Sequence, residues 1–417
     1  MARSPLRPEA QLIPIRKGLV APARPRDPRI DAFRGLALMM ILIDHMPGNP
    51  WEQITVRNIG FSDAAEAFFV MSGIAAGIAY SPGIDRWMRG ETRLWDAMAP
   101  MWRRAWTLYT VQILLTVAAI GMFSWSAGVF YRSAFREMHN LSAIYENTGA
   151  ALIGLPLLGY QIGYVNILPS YIVLLIATPV ALMAGLRAPG WTFAVAFVLW
   201  FVAGVTNVNF TLHPGNGGWF LNPLTWQLIF VLGLLIGIRH RRDQRLLPVS
   251  WPWFAAALSF LIFAFAWRHV PDLAQYMNNK MAQLGALGAP RNITTHNKTL
   301  LAMPRLLHIL ALVYVLSCLP VVTRMCAHPV AGPLRLMGGH GLLVFGLGTL
   351  LSLAGQILMV VEPAMNVLPW VLPIIGVLIC YGAARVADAM SVRVRTVLTA
   401  TSPQSRPVAT SIVAERR

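Results

Sequence analysis

The chain has 417 residues, 56% of them hydrophobic and only 12% charged, with a mean hydropathy of +0.56, which excludes an ordinary soluble domain. Its formal net charge of +17 would suit nucleic acid, but no basic–aromatic module accompanies the charge, and nucleic acid is set aside as a partner. The three cysteines, Cys318, Cys326 and Cys380, fall in or beside apolar segments without metal-ligand spacing and read as buried thiols rather than a disulfide set.

Apolar stretches of membrane-spanning length recur along the chain and predict an all-α polytopic membrane protein of about ten helices. They fall near 33–51, 61–81, 101–124, 164–185, 190–208, 222–239, 251–268, 302–321, 335–358 and 364–384. With the N-terminus inside, Arg24, Arg26, Arg29, Arg86, Arg89, Arg93, Arg103, Arg104 and the basic run 239–245 all fall on the cytoplasmic side. This is the positive-inside bias, and an even number of spans returns the C-terminus to the cytoplasm. The basic excess then reports topology and contact with anionic headgroups. Residues 1–28 are rich in Pro and Arg and lack the apolar core of a signal peptide, so they read as a disordered basic cytoplasmic tail. Residues 29–385 read as one transmembrane domain without internal repeats, and 386–417 as a second cytoplasmic tail.

The first helix carries Arg34, Asp44 and His45, ionisable groups that are costly in lipid and therefore mark a functional site. Eleven residues on a helix return to nearly the same face roughly 16 Å along the axis. Arg34 is thus expected near one surface and His45 near the bilayer midplane, an arrangement suited to a long ligand with a charged tail and a reactive end. His45 is the leading general base, since an imidazole can take a proton from a hydroxyl as its oxygen attacks an acyl carbonyl. Asp44 points about 100° away and supports His45 only if the two side chains bend together.

The second helix opens with Asp63 and Glu66, i,i+3 neighbours on one face, and Glu66 is the carboxylate expected to support His45. Ser72 and Gly73, with the small residues that follow, allow either close helix packing or contact with a slender ligand arm. Arg103 and Arg104 precede the third helix and are candidates for phosphate binding, or simply positive-inside residues. Three outer loops, 125–163, 209–221 and 269–301, are long, and the apolar piece 148–160 reads as interfacial. The segment 207–220, with Trp219 and Phe220, suits sugar stacking or an aromatic belt equally. Asn222 intrudes at the start of the sixth span, and Arg305 and His308, also i,i+3, lie at the outer end of the eighth, placed to meet an acceptor or an acyl carboxylate. No Walker loop, dinucleotide fingerprint, nucleophile elbow or zinc pattern is present, and no metal or permanently bound cofactor is expected.

Asp31-Ala-Phe-Arg-Gly-Leu-Ala37 with His45 eleven positions after Arg34 resembles the Arg–His motif of the acyltransferase 3 family. Phe68-Phe-Val-Met-Ser-Gly73 and Trp102-Arg-Arg104 resemble that family's next two motifs. Segments 43–50, 57–68, 168–175, 222–228, 297–299 and 305–308 resemble, more narrowly, the succinyltransferases of osmoregulated periplasmic glucans. The resemblance covers about 29–385. It implies a bacterial inner-membrane enzyme moving a succinyl group from cytoplasmic succinyl-CoA to a hydroxyl of a periplasmic β-glucan. Carried over, His45 is the base, Arg34, Arg103 and Arg104 hold the CoA phosphates, and Glu66 supports the site. Asp63, Trp219, Asn222, Arg305 and His308 are the candidate substrate contacts. A second Arg that the wider family often carries just after position 104 is absent, since Ala105 to Leu108 offer none. An acetyltransferase of the same fold acting on another polysaccharide, and a proton-coupled transporter with an Arg34–His45–Glu66 relay, are the alternative readings. The sequence leaves a homo-oligomer open.

Overall fold

A computed structural model describes residues 27–401; nearly all of the tail expected over 1–28, and the part beyond 401 of the one expected over 386–417, lie outside them. Thirteen helices of eight or more residues organise the described chain. They are α1 (Pro28–Asp44), α2 (Ala64–Met88), α3 (Leu94–Val129), α4 (Ile167–Arg187), α5 (Pro189–Thr206), α6 (Pro223–Arg241), α7 (Trp251–His269), α8 (Pro271–Ala286), α9 (Met303–Cys318), α10 (Pro320–Ala327), α11 (Gly332–Gly339), α12 (Gly341–Val361) and α13 (Leu368–Thr401). The described residues contain no strand, only an isolated bridge between Thr211 and Gly218. The protein is an all-α polytopic membrane protein.

Eight of these helices are long and apolar enough to cross a membrane. The pair α9–α10 makes a ninth candidate, bent by 80° where Pro320 breaks the helix, in place of the straight span expected over 302–321. Helix α1 has 17 residues, about 25 Å, and stops short of a hydrocarbon core of about 30 Å. It ends because the chain turns back at once: Asn49 donates to the carbonyls of Ile43 and Met46 (2.9 and 2.7 Å), and Gly48 sits at φ +86°. His45 is therefore the C-cap of α1, not a residue inside a helix running to 51.

Three other boundaries differ from expectation. Helix α3 starts at Leu94 and runs 36 residues, about 54 Å, tolerating Pro100 within its first two turns. Arg103 and Arg104 thus lie inside the helix rather than before it. Helix α8 occupies much of the loop expected over 269–301. Helix α13 continues past 385. The interfacial piece over 148–160 contains one short helix, Thr148–Gly154, and Gly159 takes a hydrogen bond from His213 N (3.1 Å) in the 207–221 hairpin.

The most extensive helix contact is between α2 and α6. Each presents a pair of glycines four residues apart, Gly73 and Gly77 against Gly233 and Gly237, so the two backbones touch. A Cβ on Gly77 or Gly237 would lie 3.0 Å from the Cα of the other. Gly73 is closed off by Phe230 and Leu234 of α6, so it serves helix packing rather than a ligand arm. Beside this contact α2 joins α1, α6 and α9 around a largely apolar cavity of about 460 Å³, lined on α1 by Ile30, Phe33, Leu36, Ala37 and Met40.

The backbone contact gives a stability prediction. Gly237→Val has nowhere to place its side chain and lowers the thermal midpoint in detergent by about 5 °C or more. Gly121→Val on α3, where no atom lies within 4 Å, leaves the midpoint within about 1 °C. Differential scanning fluorimetry of both variants checks the contrast.

Candidate active site

The start of α2 is built from its own sequence. Asp63 is the N-cap, its Oδ1 accepting from Ala65 N (2.8 Å), while Glu66 Oε2 accepts from Asp63 N (2.9 Å). This capping box consumes one oxygen of each carboxylate. The remaining two face inward and take cations from elsewhere in the chain. Lys298 Nζ lies 2.5 Å and Arg305 Nη2 3.1 Å from Asp63 Oδ2, and Arg305 reaches Glu66 Oε1 through Nη2 (2.6 Å) and Nε (2.7 Å). Two carboxylates and two cations thus form a neutral cluster around the fully buried Glu66.

Lys298 is held there by its backbone. Trp226 Nε1 donates to the Lys298 carbonyl, Thr225 Oγ1 to that of Thr299 and Trp200 Nε1 to that of Leu301, each at 3.0 Å. Three side chains of α5 and α6 therefore strap the loop before α9 against the bundle. His308, one turn after Arg305, is buried; its Nδ1 lies 2.6 Å from Ser62 Oγ and its ring rests against Gly60. It braces the approach to α2 from inside the protein. Nearby, burial, and behind it the charges of Arg305 and Arg268, hold the His296 imidazole below its ordinary pKa, so that ring is neutral at neutral pH.

His45 stands beside this cluster, within electrostatic range of Lys298, Asp63 and Arg57. Its carbonyl accepts from Gln356 Nε2 of α12 (2.5 Å), and its ring meets that of Tyr164 at a 60° tilt, centroids 4.7 Å apart. Tyr164 occupies the left-handed region at φ +66°, a strained setting for an aromatic residue and of a kind that gathers at functional sites. Burial holds its phenol above the ordinary pKa, so it stays protonated. Among the described residues the buried Nδ1 of His45 has no hydrogen-bond partner. The expected carboxylate contacts to that ring are not the ones formed. Asp44 accepts from Thr55 Oγ1 (2.8 Å), which fixes the turn bearing Arg57, and Glu66 is committed to Arg305 and the Asp63 amide.

At the other end of α1, Arg34 Nη1 reaches the Gly338 carbonyl (3.3 Å) and its stem covers Gly341. Arg34 and Arg104 both lie within electrostatic range of the Tyr171 hydroxyl, to which Ser72 is hydrogen-bonded. Arg34, Arg104 and Ser72 therefore converge on one place, about 16 Å along α1 from His45. Arg103, about 100° around α3 from Arg104, is exposed.

The family model for the OpgC protein matches residues 26–392. The chain belongs to the OpgC family. No curated protein and no solved structure matches it. The family points to an acyltransferase that modifies osmoregulated periplasmic glucans, in keeping with a bundle of apolar helices long enough to cross a membrane.

Two residues expected at an OpgC substrate site have other work. Asn222 is the buried N-cap of α6, accepting from Leu224 N (3.0 Å) and donating to the Val208 carbonyl (2.8 Å). Trp219 is only 4% exposed and lies on Phe210, so the exposed ring of the pair is Phe220. Sequence reasoning passed over Tyr164, Arg57 and Lys298 as site residues. Lys298 carried a signal, being one of three lysines in the chain, placed just before an apolar span. Tyr164 carried none, because its backbone setting is invisible in sequence.

The ion cluster makes its own prediction. Arg305→Met leaves Glu66 buried without its cation and costs about 3–5 kcal/mol. Adding Glu66→Met restores at least half of that loss, because the uncompensated charge is gone. Thermal or denaturant unfolding of the single and double variants in detergent measures both effects.

Proposed function

We propose that the protein is an inner-membrane O-acyltransferase moving a succinyl group from cytoplasmic succinyl-CoA to a hydroxyl of a periplasmic glucan, with His45 as general base and both termini cytoplasmic. The observation that carries this reading is the buried, unpartnered Nδ1 of His45, beside an ion cluster and on the face of α1 that bears Arg34. Arg34 and Arg104 are suited to the phosphates of the donor, whose slender arm then follows α1 outward. In the step proposed, the imidazole takes the proton of a sugar hydroxyl as its oxygen bonds to the thioester carbonyl carbon. The carbon–sulfur bond breaks, and the departing thiolate takes a proton from the imidazolium. An acyl-histidine is the two-step variant of the same chemistry.

A succinyl donor carries a second negative end, and the choice of cation follows from what is already neutralised. Arg305 and Lys298 are matched by Glu66 and Asp63. Arg57 makes only a loose pair with Glu52 at 3.9 Å, is half exposed, and lies within electrostatic range of His45, Asp44 and Tyr164. Arg57 is the group assigned to the distal carboxylate of the acyl chain.

The test uses purified protein in nanodiscs with labelled succinyl-CoA and a short β-glucan. His45→Ala is expected to lower transfer by about 10²–10⁴-fold at unchanged yield and melting temperature. Transfer within tenfold of wild type would remove His45 from the chemistry. Transfer from acetyl-CoA alone would replace the succinyl assignment, and no transfer from either donor would favour a transporter. Arg57→Gln is expected to lower kcat/KM for succinyl-CoA roughly 10- to 100-fold and to change that for acetyl-CoA by less than about threefold. An equal loss for both donors would show that Arg57 does not read the distal carboxylate.

A further inference from the structure

A cavity of about 250 Å³ opens between the hairpin after α5 and the loop before α9. The hairpin supplies Asn207, Asn209 and Gly218, and the loop supplies Arg291, Asn297 and Thr299, with a single aliphatic residue completing the wall. Neither the mechanism above nor the ion cluster uses this space, yet its wall is the loop that carries Lys298 into that cluster. Residues 297–299 alternate across the loop: Asn297 and Thr299 line the cavity, and Lys298 between them points the other way, to Asp63 at 2.5 Å. The cavity is thus one backbone strand away from the cation that lies within electrostatic range of His45.

Its polar groups divide into those that hold the wall and those left for a ligand. Asn209 is spent on the hairpin, donating to the Trp219 carbonyl and accepting from Phe210 N, both at 2.8 Å. Asn297 Oδ1 accepts from Leu300 N (3.0 Å), which leaves its amide N–H₂ group to donate elsewhere. Thr299 and Asn207 also line the cavity, and among the described residues no acidic side chain pairs with Arg291. A phosphate or carboxylate site would call for clustered arginines or a helix N-terminus aimed inward. One arginine among amides and a hydroxyl suits a neutral, polyhydroxylated ligand, whose hydroxyls both donate and accept.

We propose that this cavity binds a glucose unit of the acceptor glucan, neighbouring the unit that is acylated, through Asn207, Arg291, Asn297 and Thr299. This rests on the acyl-transfer reading of the site beside it and extends it to the polymer: the enzyme reads more than one sugar of its acceptor.

The experiment measures equilibrium binding of a fluorescently labelled β-glucan oligosaccharide to the full-length protein in nanodiscs without acyl donor, followed by acceptor and donor KM in the transfer assay. The variants are Thr299→Val, Arg291→Gln and Asn207→Gly; glycine at 207 keeps the backbone, which sits at φ +54°. Each is expected to weaken oligosaccharide binding roughly 2- to 10-fold and to raise the acceptor KM by the same factor, with the succinyl-CoA KM unmoved. Unchanged binding and KM in all three variants, or no binding of the oligosaccharide by wild type, would overturn the proposal. So would a loss confined to Arg291→Gln and matched by competition from inorganic phosphate, which would make the cavity an anion site. Binding that the variants weaken in a wild-type protein that transfers no acyl group would uphold the cavity and remove the acyl-transfer reading instead.

Discussion

A carboxylate that cannot be solvated has to be met by a cation, and this requirement arranges the outer end of the bundle. Glu66 is wholly buried at the first turn of α2, and Asp63 beside it is nearly so. The capping box satisfies half of their oxygens and leaves two that no residue of α2 can serve. Arg305 and Lys298 supply the answer from more than 230 positions away, and to do so the chain must bring α9 and the loop before it against α2. Hence the strapping of residues 298–301 by Thr225, Trp226 and Trp200: a lysine on a loose loop would leave Asp63 and Glu66 to share the single cation of Arg305.

Helix α1 is divided along its length by the same logic of segregation. One face, made of Ile30, Phe33, Leu36, Ala37 and Met40, lines the apolar cavity with α2, α6 and α9. The face about 100° away carries Arg34 and His45 toward α11, α12 and Tyr164. The helix thus has one side hospitable to charge and one that is not. Small residues at the α1–α11 contact enforce the separation, since Gly35 of α1 and Gly338 of α11 let the two helices meet backbone to backbone beside the Arg34 side chain.

Much of this was legible in sequence where a residue's spacing alone decides its neighbour. The eleven-residue interval between Arg34 and His45 put them on one face, and the Asp63–Glu66 interval put two carboxylates together and even wrote a capping box. Arg305 was recognisable as out of place in an apolar span, though not as the partner of Glu66, because nothing local encodes a pairing across 239 positions. The failures follow the same line. Trp219 and Asn222 have the residue types of a sugar site, but types do not reveal that one is buried on Phe210 and the other caps α6. Helix α8 was hidden by its polarity, which in a membrane protein looks like a loop, and Pro100 masked the early start of α3.

The charged groups of the cluster are satisfied by one another, whereas the imidazole beside them is not. Asp44, Asp63, Glu66, Lys298, Arg305 and His308 each have short, well-placed partners. His45 differs: its backbone is fixed by Gln356, its ring is held by Tyr164, and its Nδ1 is enclosed with nothing to bond. A buried polar atom without a partner costs roughly 1–3 kcal/mol, and folding alone would favour replacing it by an apolar side chain of the same shape. Tyr164 adds a backbone strain of similar size to keep its ring against the imidazole. Two uncompensated costs at one contact, beside a cluster in which every charge is matched, are what a site held ready for an incoming group would show.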